Sequence, residues 1–374
     1  MYRSVFDTEL ESELVSLKTQ DGARIHGTLV WRGDTRPTTG VLSMHPASHG
    51  FRHFSIEGLS EVGLAGMRLR SRFAGDDSAL IMEEVMLDIA AGVKFLREWG
   101  CNKVVLFGHS GGGPLMSFYQ SQAESPTVKS TPAGDPPDLT MASLPPVDAI
   151  ITAGAHLGRH RSLAERLDPS VIDENDPFAT DVDLDMFNPQ NGPPYSNEFL
   201  SRYRDAQAAR VEKITTWATT KLEELKKKNH PVTRDVPFIV WRTEADPLYL
   251  DLSIEPNLRS RGNNRGDDAF ALNYTPRAQG RFTSLRSWLS QWGSSTSNAD
   301  TLRHIARVSV PLLITQGTAD RSPMSRAKRI FEAAGTKDKT IYYAEGATHY
   351  YRGQKEILLK TCQHIFDWLR ARGM

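Results

Sequence analysis

The stretch KVVLFGHSGGGPLMSFYQSQ, residues 103–122, limits what this chain can fold into more than any other segment. Its apolar run VVLF lacks the alternation of a half-exposed strand, as expected of a strand buried on both faces in a parallel sheet. A glycine-rich turn follows at once, then a helix-like run. So abrupt a change needs glycines, because only residues without a Cβ let strand and helix approach closely around a strained turn. Gly108 and Gly112 fill those places on either side of Ser110.

Other segments agree with a sheet flanked by helices. LVSLKT, the turn QDG and ARIHGTLVW alternate apolar and polar residues, which predicts an antiparallel hairpin at the start. TGVLSMH and GMRLRSRF read as further strands, with a helix over residues 56–65 between them. Val85, Met86, Ile89, Ala90, Val93 and Leu96 recur at helical spacing and stop at Gly100. Residues 124–146 are proline-rich and read as a loop, after which VDAIITAG returns to strand pattern. From about His156 to Asp300 the text changes to Asp- and Pro-rich turns between helical stretches, and then strand–helix alternation resumes. Strands alternating with helices on both sides of a long insert predict an α/β fold with a doubly wound, mostly parallel sheet and a large, mainly helical inserted cap. The expected division is a core of residues 1–155 and 301–374 around a cap of residues 156–300.

Ser110 is the candidate nucleophile. The G-x-S-x-G spacing between a strand and a helix exposes a serine hydroxyl at the carboxyl end of the sheet, and the Gly111 N–H at the helix start faces a developing oxyanion. A serine hydroxyl needs a base to take its proton and a carboxylate to orient that base. Asp320, at the end of VPLLITQGTAD, and His349, in the loop EGATHYYRG, follow in the order acid then base. DVPFIVWRTEAD makes Asp246 a rival acid, but no helix follows it to cross back over a sheet, whereas helix, strand and His349 follow Asp320. The loop SMHPASHG is expected to give the second oxyanion donor. Pro46 has no N–H, so Ala47 is the candidate, with Ser48 next.

His156 and Arg159 follow the strand VDAIITAG and are expected to line the pocket, and Trp288 is a third candidate substrate contact among the aromatics of the insert. His45, His49 and His53 are spaced by four, but Pro46 and Gly50 oppose a continuous helix, so loop scaffolding or substrate contact is expected rather than a metal site. No dinucleotide or phosphate-loop pattern occurs, and no cofactor is expected.

Bulk properties exclude several classes. Lys and Arg together number 45, as do Asp and Glu, so no overall field favours nucleic acid or an anionic membrane surface. No apolar run approaches the roughly 18 residues of a spanning helix. The first residues carry charges and no apolar core, and there are only two cysteines, Cys101 and Cys362; a cytoplasmic protein with reduced thiols is expected. The oligomeric state, a homo-oligomer included, stays open.

With strand–turn–helix at GHSGG, acid at GTAD, base at GATHYY and a hairpin start, the sequence resembles the serine-nucleophile branch of the α/β-hydrolase superfamily over residues 1–155 and 301–374. The resemblance implies a hydrolase fold and an acyl-enzyme on Ser110, formed from a small-molecule acyl substrate: a carboxylic ester, lactone or thioester of a medium-sized organic compound. Acyltransferases and carbon–carbon bond hydrolases use the same triad, so they stay open as alternatives, and a non-catalytic receptor on this fold is the alternative of another class. His45-Pro46 departs from the commonest His-Gly oxyanion loop and puts the second donor in doubt.

Overall fold

The structure is a computed structural model that describes residues 2–228, 234–276 and 278–374. The chain begins with β1 (Tyr2–Arg3), β2 (Glu9–Lys18) and β3 (Arg24–Trp31); β2 and β3 form the expected hairpin, with Val15 opposite Gly27. Next come β4 (Thr39–Ser43), α1 (Phe54–Glu61), β5 (Ala65–Leu69), α2 (Met82–Trp99), β6 (Lys103–His109), α3 (Gly112–Glu124) and β7 (Ala149–Ala153). The helix α1 starts two residues earlier than its pattern predicted and ends four residues earlier, because Gly63 turns the chain at φ +105°.

After β7 the chain leaves the sheet for α4 (Arg159–Ala164), the ribbon of β8 (Val171–Asp173) and β9 (Asp176–Thr180), and the long helix α5 (Asn197–Lys228). β10 (Pro237–Ile239), α6 (Ala269–Leu272), β11 (Phe282–Ser284) and α7 (Leu285–Gln291) follow, with β10 and β11 pairing as a second ribbon. The chain then returns through α8 (Thr301–Ile305), β12 (Leu312–Gly317), α9 (Ser325–Ala333), β13 (Lys339–Ala344) and α10 (Lys355–Arg370). One sheet holds nine strands in the order β1-β2-β3-β5-β4-β6-β7-β12-β13, parallel from β5 to β13 and antiparallel from β1 to β5.

The continuous apolar run of β6 has a direct cause. Val104 and Leu106 pack with α2 and α3 on one face, and Val105 and Phe107 pack with α1 and α10 on the other. Both faces are covered, so neither set of alternating positions can be polar. α5 buries Phe199, Tyr203, Val211, Ile214, Ala218 and Leu222, a helical stripe, and its C-terminal half packs on Trp288 and Leu289 of α7 in an apolar core separate from the sheet. No helix among the described residues is long and apolar enough to cross a membrane.

β4 lies between β5 and β6, so the connections leaving β4 and β6 run in opposite directions along the sheet. A crevice opens at such a switch point beyond the carboxyl ends of the strands. His45 follows β4 there, and Ser110 follows β6.

Candidate active site

Ser110 occupies the left-handed region at φ +54°, a conformation that costs a non-glycine residue on the order of 1 kcal/mol or more. The surrounding backbone enforces it: Ser110 N–H donates to the Ala153 carbonyl at 2.9 Å, and its own carbonyl accepts from Gly113 N–H at 3.0 Å. A Cβ on Gly108 would stand 2.7 Å from the Gly112 carbonyl oxygen, and one on Gly112 would stand 2.7 Å from the Met44 carbonyl oxygen. Glycine at both places is therefore a steric requirement of the turn.

Asp320 comes three residues after β12 ends at Gly317, where the backbone passes closely over Ala347, and it is 1% exposed. Its Oδ2 accepts from His349 Nδ1 at 2.7 Å, while Oδ1 accepts from Ser322 N–H at 2.8 Å and from Asn264 Nδ2 at 3.1 Å. Burial alone would raise this carboxyl, but the His349 ring and these donors hold it below its ordinary value. With Nδ1 bonded to a carboxylate, His349 keeps Nε2 free to accept a proton. The His349 loop is fixed by Gln354, whose Oε1 accepts from Thr348 N–H at 2.9 Å and whose Nε2 donates to the Gly346 carbonyl at 2.7 Å. His109 Nε2 bonds the His349 carbonyl at 2.9 Å from the other side.

Ser110 and His349 both line one cavity of about 470 Å³, a volume suited to a small organic molecule. Ser110 follows β6, Asp320 follows β12 and His349 follows β13, so the three lie beyond the carboxyl ends of three strands, with His349 bonded to Asp320 and sharing the cavity with Ser110.

Solved structures resemble this chain over nearly its whole length. GrgF, an α/β hydrolase from Penicillium sp. sh18, covers 97% of this chain and 99% of its own at 13% identity and a TM-score of 0.55. DcsB, solved with its substrate analogue, covers 96% and 99% at 13% identity and 0.54. A hypothetical protein from Pseudomonas aeruginosa covers 97% and 95% at 13% identity and 0.53. The chain has the α/β-hydrolase fold. No protein-family model matches the sequence, and no curated protein matches it.

Within this hydrolase fold the other predicted residues divide. His156 lines the Ser110 cavity, and its Nδ1 accepts from Gly158 N–H at 3.2 Å. Arg159 lines a neighbouring cavity instead; it pairs with Asp77, bonds Gln291 and lies 4.9 Å from the Trp292 ring centre. Trp288 is not a pocket residue. It is fully buried between α5 and α7, and its Nε1 donates to Thr215 Oγ1 at 3.0 Å, because an indole at this helical spacing packs inward. Asp246 caps a short helical turn by accepting from Leu248 N–H at 3.2 Å and pairs with Arg204 at 2.6 Å, and among the described residues the carboxylate bonded to the His349 ring is that of Asp320.

The Ala47 expectation also needs correction. Ala47 N–H and Ser48 N–H both donate to His45 Nδ1, at 3.3 and 3.2 Å, so the ring draws the Ala47 amide to itself. Gly111 lies at the start of α3 as expected, and a Cβ built on it would stand 2.7 Å from His45 Nε2 and 3.3 Å from His156 Nε2. Both imidazoles are half-buried against the cavity wall, and their pKa values lie well below the usual histidine range, desolvation being the first cause and neighbouring arginines the next. They are neutral, with Nδ1 accepting and Nε2 carrying the hydrogen.

Sequence reading missed four residues that shape the site. Gly154 runs at φ +50° directly over the acid–base pair, where a Cβ would stand 3.0 Å from Asp320 Oδ2 and 3.2 Å from His349 Nδ1. Asn264 holds the acid from within the insertion and gives no local signal. His109 stood inside the turn motif as its unspecified residue. Arg68, in β5, lines the cavity while buried; an arginine inside a strand otherwise apolar was its one available signal.

Proposed function

We propose that this protein is a serine hydrolase that cleaves a carboxylic ester, lactone or thioester of a small organic acid through an acyl-enzyme on Ser110. The observation that carries the proposal is the 2.7 Å bond from His349 Nδ1 to buried Asp320, with His349 and the strained Ser110 lining one cavity. Ser110 Oγ bonds the carbonyl carbon as its proton passes to His349 Nε2, and the carbonyl oxygen takes the negative charge. The leaving oxygen or sulfur then departs with that proton. A water repeats the sequence, giving its proton to His349 and releasing the acid.

The oxyanion is held by Gly111 N–H at the start of α3. Because the Ala47 amide turns to His45 Nδ1, we take the His45 Nε2–H, which lies over Gly111, as the second donor. Residues 156–300 act as a cap: Arg166, Glu244 and Arg265 from the insertion line the same cavity as Ser110 and narrow what can enter.

Intact-mass spectrometry after treatment with a fluorophosphonate tests the reading. One adduct, mapped to Ser110 and absent from Ser110→Ala, together with loss of ester turnover in that variant, is the expected result. Ester turnover that survives Ser110→Ala, or a wild-type protein that takes no adduct, would overturn it.

A further inference from the structure

Six arginines line the Ser110 cavity: Arg52, Arg68, Arg166, Arg265, Arg321 and Arg326. Five of them face carboxylates. Arg52 pairs with Glu57 at 2.8 Å, Arg166 with Glu244 at 3.6 Å, Arg321 with Asp267 at 2.6 Å, Arg265 with Glu244 and Arg326 with Glu165. Arg68 differs. It is 3% exposed, and among the described residues it forms no ion pair. Its Nη1 makes one long contact with Ser43 Oγ at 3.4 Å, and its Nε is buried with no partner among the described residues.

An uncompensated guanidinium in such a place is costly, since a buried charge is retained at several kcal/mol unless it is paired. Among the described residues no carboxylate pairs with Arg68 to offset that cost. The rings beside it, His45, His53 and His109, are neutral, and the cation itself helps to keep them so. Burial lowers the Arg68 guanidinium to about 10, which still leaves it charged at neutral pH. Glu57, the carboxylate on the same side of the cavity, is saturated by Tyr2 Oη, Val5 N–H and Arg52. His53 Nδ1 is a second buried polar atom of this cavity with no partner among the described residues.

We propose that Arg68 is the anchor for a carboxylate on the substrate, so that the bond cleaved at Ser110 belongs to a dicarboxylic acid half-ester or to a lactone or thioester with an equivalent free carboxylate. A guanidinium presents paired N–H groups that match the two oxygens of a carboxylate, and one negative charge balances one positive charge. His53 supplies a further polar contact to the same group. The chemical step is the one given above; Arg68 binds and orients and moves no proton. The inference rests on Ser110 as the nucleophile, and the experiment separates the two.

Monomethyl glutarate and methyl valerate have acyl chains of equal length and differ in one terminal carboxylate. Methanol release from each would be measured with wild type, Arg68→Gln and Arg68→Lys, and glutarate and valerate binding would be followed by calorimetry. Wild type is expected to favour the glutarate ester by about 10-fold or more in kcat/KM, mainly through KM. Arg68→Gln should lose about 10- to 100-fold on that ester and far less on methyl valerate, with Arg68→Lys between the two. Calorimetry should detect glutarate on wild type and not on Arg68→Gln. Equal kcat/KM for the two esters in wild type, a comparison that needs no variant, would overturn the carboxylate anchor while leaving Ser110 in place. Absence of turnover with both esters would count against the nucleophile. Glutarate binding that disappears in Arg68→Gln would then still sustain the anchor, and no glutarate binding to wild type would overturn it.

Discussion

His349 and Asp320 are bonded in surroundings from which water is nearly excluded, with exposures of 5% and 1%. A carboxylate in that position selects the imidazole tautomer and stabilises the imidazolium, and an amide cannot do either. Asp320→Asn is accordingly expected to lower kcat on the order of 1,000-fold or more, with the serine still present. Asp246→Asn, which disturbs a helical-turn cap and the Arg204 pair, should lower it less than about 10-fold; steady-state hydrolysis of one ester by both variants decides between the two carboxylates. His45 makes a separate prediction, because its proposed role is to donate a hydrogen bond that strengthens as charge develops. His45→Phe keeps the bulk over Gly111 and removes the N–H, so kcat should fall on the order of 100-fold with KM little altered. A His45→Phe enzyme with full kcat would return the second donor to the backbone.

Among the elements, the turn between β6 and α3 and the packing of α5 on α7 answer different demands. The turn is a steric device, in which backbone approaches across Gly108 and Gly112 force Ser110 into a strained conformation at the crevice. The α5–α7 contact is hydrophobic burial. Trp288, fully enclosed and bonded to Thr215, holds the insertion together without touching the cavity. Trp288→Ala should therefore destabilise the protein by about 3–5 kcal/mol, read as a lower urea midpoint. Ester KM of the folded variant, measured well below that midpoint, should change less than about 3-fold if the indole has no substrate contact.

Across the whole molecule, the histidines of the site carry a pH dependence. Burial first, then the neighbouring His349 ring and Arg68, push His109 down to about 3, and burial first, then neighbouring groups, holds His45, His53 and His156 well below the histidine range. Between about 3 and about 6.5 the unfolded chain binds protons that folded His109 refuses, so the unfolded state gains as pH falls. The stability His109 contributes is thus complete above about 6.5 and is lost as pH drops toward 3, at up to about 1.4 kcal/mol per pH unit. The other three rings act in the same direction. Urea midpoints at pH 7.5 and 5.5 should show a marked fall at the lower value, and equal midpoints would contradict neutral rings at these positions. The sequence alone determined the hairpin, the doubly covered β6 and the turn that strains Ser110, because each is written in residues close together in the chain, and it set the order Ser110, Asp320, His349 because each follows its own strand pattern. Tertiary structure alone decided what depends on distant neighbours. DVPFIVWRTEAD and SVPLLITQGTAD have the same one-dimensional pattern, yet only the second pairs with β7 and β13 and so brings its aspartate to His349. Trp288 turned inward, the Ala47 amide turned to His45, and Arg68 came to lie unpaired in the cavity for the same reason: burial and pairing belong to the space around a side chain, and that space is filled by residues tens to hundreds of positions away.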